Sequence, residues 1–311
     1  MKKINIFLIL ALMALFIHIS LNPAAVEAAG KKLNIVTSMS LFEEAAREIG
    51  GEHVNVSNLG PHDQDLHFVL IKPSHINLLI NADVIVHTGL MGEPWLPALL
   101  ESASNRNLMP GNPGDCDTSV GIKILEKPAT VSREMGDVHP AGNPHFWLDP
   151  VNIIIIGSNI KNKLSSLDPA HKADFEKNFA AFSDKWKKLT LGWAKRLDAV
   201  RPVKTIDYHV SWSYFYERFK IEHICTIEPK PGIKPSGAHL AGVIAKGKEQ
   251  KVDCMIAEPF FPQKDINMVA NELKVPFFVV QQTPGGKLKK MEDVFEVLIA
   301  FLESVKKKES K

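Results

Sequence analysis

Phe175, Phe179, Phe182, Trp186, Leu189, Trp193, Leu197 and Val200 follow one another at steps of three or four residues, so all fall on one face of a helix turning every 3.6 residues. Asp168-Pro169 at its head supplies an N-cap residue and a proline at the first helical position, and no glycine intervenes before Gly192. A helix over 169–200 would extend about 48 Å, longer than a small domain is wide. It could pack within one domain or bridge two. Its place in mid-chain favours a stiff strut between two lobes.

The sequence on either side suits that division. Residues 33–36, 54–59 and 84–87 are short apolar runs of the kind that form buried strands, each followed by a helical segment, and 121–125 is a further short run. Beyond Pro202 the runs 203–206, 223–227, 252–257 and 277–280 repeat the pattern. Strands alternating with helices imply an α/β fold of two similar lobes with mainly parallel sheets. A length of 311 residues accommodates both. The expected division is an N-terminal lobe over 29–168, the linking helix over 169–200 and a C-terminal lobe over 201–311. Ile71-Lys-Pro-Ser74 and Ile233-Lys-Pro-Ser236, each opening a helical segment, are a small internal echo.

Residues 1–28 read as a secretory signal: Lys2 and Lys3, an apolar run over 4–21 broken by His18 and Ser20, then small residues around Ala28. An uncleaved membrane anchor is the competing reading, but the Pro-Ala-Ala-Val-Glu-Ala-Ala segment favours cleavage. No cysteine follows the run to carry a lipid there. The mature protein is expected in a bacterial periplasm. Lys plus Arg exceed Asp plus Glu by only two, which leaves no basic surface for nucleic acid. Three cysteines are too few and too scattered for a disulfide miniprotein or a thiolate zinc cluster. Cys225 and Cys254, on strands either side of one helix, are either bonded or two buried thiols.

Among twelve histidines, His67, His145 and His209 each sit where a predicted strand gives way to a loop or helix. That edge of an open parallel sheet is where ligands gather. Three neutral imidazoles plus one further ligand suit zinc and other late first-row divalent ions. His62 and His139, in loops close by, are candidate accessory groups. The same set also describes catalytic zinc, with Glu258 or Asp65 as base, so a zinc-dependent hydrolase is the rival. No His-Glu-x-x-His helix, nucleophile elbow or phosphate loop supports it.

Pro61-His-Asp-Gln-Asp-Leu-His67 with Lys72-Pro-Ser-His-Ile76, Asn143-Pro-His-Phe-Trp-Leu-Asp-Pro150, Tyr208-His209 before Ser-Tyr-Phe-Tyr216, and Ala257-Glu-Pro259 together resemble the zinc/manganese-type solute-binding proteins of bacterial ABC importers. The similarity runs over essentially the whole mature chain. It implies two α/β lobes joined by one rigid helix and a metal ion held in the cleft between them. It implies delivery to a membrane permease with its ATPase, a monomer, and no enzymatic reaction. His67, His145 and His209 fall on three family ligands; histidine rather than glutamate at 209 points to Zn2+ before Mn2+ as cargo. The usual fourth ligand is an aspartate after the last core strand. Here Val279-Val-Gln-Gln-Thr-Pro284 offers Gln281, with Gln282 adjacent, so the place falls to Gln281, Glu258 or water. Leu70, His75 and Val210 also depart from the family pattern. A secreted adhesin or metal buffer of the same fold is the other alternative.

Overall fold

The structure, a computed structural model, describes residues 31–130 and 139–309. The expected leader and part of the polar loop before Pro144 lie outside the described residues. The first half contains β1 (Leu33–Thr37), α1 (Ser40–Gly50), β2 (Val54–Asn58), α2 (Pro73–Ile80), β3 (Val84–His87), α3 (Leu96–Ala103) and β4 (Asp115–Asp117). Two long helices follow, α4 (Pro150–Leu167) and α5 (Lys172–Asp198). The second half contains β5 (Lys204–Asp207), α6 (Ser213–Phe219), β6 (Glu222–Thr226), α7 (Gly237–Gln250), β7 (Cys254–Ala257), α8 (Gln263–Leu273), β8 (Phe277–Val279) and α9 (Met291–Glu309).

Each half forms a four-stranded parallel sheet, and the two share one topology: β2-β1-β3-β4 and β6-β5-β7-β8. The order reverses between β1 and β3 and again between β5 and β7, so each sheet has a crevice at its carboxyl edge. The outer face of each sheet buries its own core. Val36, Ile85, Leu79 and Leu99 pack under α2 and α3, while Met255, Leu240, Val243 and Ile266 pack under α7 and α8. The inner faces meet one continuous core that runs through both lobes.

Helix α5 is the spine of that shared core. Phe175, Phe182, Trp186, Trp193 and Leu197 are buried on it, and Phe179, Leu189 and Val200 pack around them, so the stripe read from the sequence is the buried face. The helix starts later than expected because Pro169–His171 closes a 3-10 turn, with His171 Nδ1 2.6 Å from Asp168 Oδ2. It is flanked on both sides. Phe295 of α9 lies 6.1 Å from Trp186 and 5.3 Å from Trp193 between ring centroids. Arg196 bridges to Glu296 and Glu303 of α9. On the other side α4 approaches so closely that a Cβ at Gly157 would stand 2.6 Å from the Phe182 ring. Asp149 starts α4 by accepting from Val151 N–H at 2.9 Å, with Pro150 at the first position.

One expectation changes and one open alternative is decided. The fourth strand of the first sheet is Asp115–Asp117, not the apolar run 121–125. It is an edge strand of three residues with only Cys116 buried, so it carries no apolar pattern to read. The run 121–125 is loop, tied across the molecule by Leu125 N–H donating to Tyr214 Oη at 3.0 Å. Cys225 and Cys254 are free thiols, because β5 lies between their strands: Cys225 faces Ile206 and Cys254 faces Thr205.

Candidate metal centre

The three histidines that are far apart in sequence converge. One ring nitrogen from each of His67, His145 and His209 lies within 4.8 Å of the other two, and among the described residues this is the group suited to hold a metal ion. His67 arrives on the loop after β2, in a turn stapled by Asp65, whose carboxylate accepts from His67 N–H at 2.9 Å. His145 precedes the buried Phe146–Leu148 turn at the start of α4. His209 lies two residues beyond β5.

Each imidazole is aimed by an oxygen at its Nδ1. His67 donates to Gly92 O at 2.8 Å, His145 to Asn143 Oδ1 at 2.9 Å, and His209 to Glu228 Oε2 at 2.6 Å. An Nδ1–H held in this way leaves Nε2 with its lone pair, the form that binds metal. His67 Nε2 is buried with no hydrogen-bond partner. A buried polar atom without a partner is costly unless a ligand satisfies it.

The electrostatics differ from ring to ring. Burial pushes His145 well below the ordinary imidazole range, with His67 and His209 adding repulsion. Burial also works against charge on His209, but the Glu228 carboxylate outweighs it and the group is raised. His139, whose ring centroid lies 4.7 Å from that of His67, is pushed down to about 4 by burial and by its histidine neighbours. A cavity of about 400 Å³ opens beside the cluster, lined by His67, His139, His209, Glu228 and Phe68 among others.

The remaining candidates are placed as follows. Glu258 is fully buried just beyond β7; burial raises its carboxyl, while Gln282 and Ser211 hydrogen bonds pull it back. Its Oε2 has no partner, and Oε1 accepts from Gln282 Nε2 at 2.7 Å. Glu258 is outside the convergent group. Gln281 ties its Nε2 into the following turn, donating to Thr283 O at 2.7 Å and Gly285 O at 3.0 Å. His62 stacks over the turn at Gly285, where any Cβ would collide with its ring. Sequence reasoning passed over Asn143, Gly92 and Glu228. Asn143 was legible in principle, two residues before His145 in the same motif. Glu228 was signalled only by its offset, two residues past β6 as His209 is past β5. Gly92, acting through its carbonyl, leaves no mark.

The family model described as zinc-uptake complex component A, periplasmic, matches residues 35–307. The manganese ABC transporter substrate-binding lipoprotein PsaA of Streptococcus pneumoniae is 22% identical over 284 residues, 89% of each chain. The zinc-binding lipoprotein AdcA of the same species is 27% identical over 274 residues, 88% of this chain and 53% of its own length. A crystal structure of ZnuA superposes with a TM-score of 0.74 at 26% identity, covering 88% of this chain and 98% of that one. The chain belongs to the family of periplasmic zinc-uptake complex component A proteins, metal-binding substrate-binding components of ABC importers and not enzymes.

Proposed function

We propose that this protein captures Zn2+ in the periplasm, after cleavage of a leader over residues 1–28, and delivers it as a monomer to a membrane permease with its ATPase. His67, His145 and His209 are its ligands through Nε2. The observation that carries this reading is the threefold pattern of Nδ1 atoms, each bonded to a protein oxygen, around a buried unpartnered His67 Nε2. An all-nitrogen set favours zinc over manganese, which prefers oxygen ligands. Relatives are named for both metals, so the choice of zinc rests on the donor atoms.

A water from the adjoining cavity fills the fourth position. Gln281 is anchored through its Nε2 to the 283–285 turn, and Glu258, bonded to Gln282 through Oε1, lies outside the convergent group. His62 and His139 are accessory at most, with His139 the nearer of the two. The test is calorimetric titration of chelator-stripped protein. Replacing all three histidines by alanine abolishes tight zinc uptake, whereas Gln281→Ala leaves it unchanged. Zinc binding by the triple variant as tight as the parent's would overturn the reading.

A further inference from the structure

Of the three oxygens that aim the imidazoles, the Glu228 carboxylate alone serves two donors from different segments. Its Oε2 holds His209 Nδ1 at 2.6 Å, and its Oε1 accepts from Gly232 N–H at 2.7 Å. The side chain is nearly buried, at 9% exposure, so water competes weakly for either oxygen. Gly232 has φ of 76° and sits in a tight turn closed by Ile233 N–H donating to Lys230 O at 3.0 Å. Pro231 and Gly232 line the cavity beside the histidines, together with Phe68 of the first lobe. The turn is thus a lip of the cleft, and its hold on the body of the protein at Gly232 passes through the carboxylate that orients His209.

We propose that Glu228 is a positioning residue that reports metal occupancy to the 230–233 lip. Compared with the neutral ring, a cation on Nε2 withdraws electron density and makes Nδ1–H a stronger donor. The carboxylate is then gripped more firmly at Oε2, and Oε1 holds the Gly232 amide in place. Loaded and empty protein therefore differ at the cleft rim without any large movement of the lobes. The inference rests on the reading of His209 as a ligand.

The chemistry of glutamine supplies the test. An amide has one acceptor oxygen and an NH2 donor, so Glu228→Gln satisfies His209 or Gly232 but not both. Hydrogen exchange at the Gly232 amide, followed with and without saturating zinc at a pH high enough to leave His209 neutral in the empty protein, reads the link directly. In the parent protein zinc slows this exchange by about tenfold or more. Glu228→Gln still binds zinc, with affinity lower by roughly 10–100-fold, and the slowing at Gly232 disappears. Asn143→Ala, which weakens the hold on His145 but leaves Glu228 intact, retains the slowing once saturated, so the loss is not a general consequence of weaker binding. Unchanged Gly232 exchange in the parent, or equal slowing in Glu228→Gln, overturns the link. If His209→Ala also leaves zinc affinity intact, the ligand assignment itself has failed; if that variant loses affinity while Gly232 stays silent, only the link has.

Discussion

The two sheets share a strand order yet offer different groups at their carboxyl edges. In the second lobe every strand is followed within three residues by a buried polar group: His209 after β5, Glu228 after β6, Glu258 after β7 and Gln282 after β8. In the first lobe Ser38 and Thr88, just past β1 and β3, are consumed by hydrogen bonds to buried Glu93, and both histidines come from loops. The first-lobe rings are aimed by uncharged oxygens, the second-lobe ring by a carboxylate. His145 in the first lobe thus stays neutral to lower pH than a free imidazole, while His209 in the second keeps its proton to higher pH. The lobes share a topology, but burial around His145 and the carboxylate behind His209 set how readily each of these two gives up its proton.

The two lobes are joined by the continuous core along α5. Trp186→Ala removes a ring packed between Phe182, Trp193 and Phe295 and lowers stability by about 3–5 kcal/mol, measured by chemical denaturation. Because that core is continuous, both lobes unfold in one transition in the variant as in the parent. Two separated transitions would show that the lobes are independent and that α5 merely tethers them.

Next in size is the contrast between ligand and support within the first lobe. His145→Ala costs more zinc affinity than the roughly 10–100-fold expected for removing an outer partner. Asn143→Ala falls inside that range, since Asn143 Oδ1 accepts from both His145 N–H and Nδ1–H. Equal losses in the two variants would mean that the site tolerates a missing imidazole.

The proton separates the lobes more finely. His145 is depressed and stays neutral well below the ordinary value, so it places no proton in the way of zinc. His209 is raised, so its proton persists to a higher pH than in a free imidazole and must leave on binding. Zinc affinity accordingly begins to fall as pH drops while still above the ordinary imidazole value of about 6.5. The slope approaches about tenfold per pH unit for one displaced proton. Calorimetry in buffers of different ionisation enthalpy counts the proton released, and His209→Ala removes that release. Proton release unchanged in that variant would place the titrating group elsewhere.

Much of this was legible in the sequence because it rests on period and position. The stripe of α5 has the helical repeat and the strands other than β4 follow apolar runs, whereas of the three histidines expected at strand ends only His209 stands at one; His67 and His145 come from loops well past β2 and β4. What could not be read depends on contacts between distant segments. Strand β4 has one buried side chain in three residues and is recognised only by its pairing with β3. Gln281 and Gln282 are chemically identical in the sequence; the backbone turns one amide into the 283–285 loop and buries the other against Glu258 and Ser211. Gly92 acts through a carbonyl that every residue possesses.

The seam between the lobes carries one more titrating group, and it acts on stability rather than on metal. Glu44 of α1, in the first lobe, accepts from Met291 N–H at 2.9 Å and so caps α9, which belongs to the second. Burial pushes its carboxyl up to about 7, although the Met291 amide and Lys185 oppose that rise. A carboxyl raised on folding keeps its proton in the native state after the unfolded chain has lost it. Stability therefore declines as pH rises from about 4.5 towards 7 and stays reduced above that range. Glu44→Gln keeps an acceptor for Met291 N–H and has no charge to bury. Denaturation at pH 5 and pH 8 should show the variant gaining about 1–2 kcal/mol on the parent at the higher pH only. A uniform change at both pH values would mean that the Glu44 side chain matters here for its shape and not for its charge.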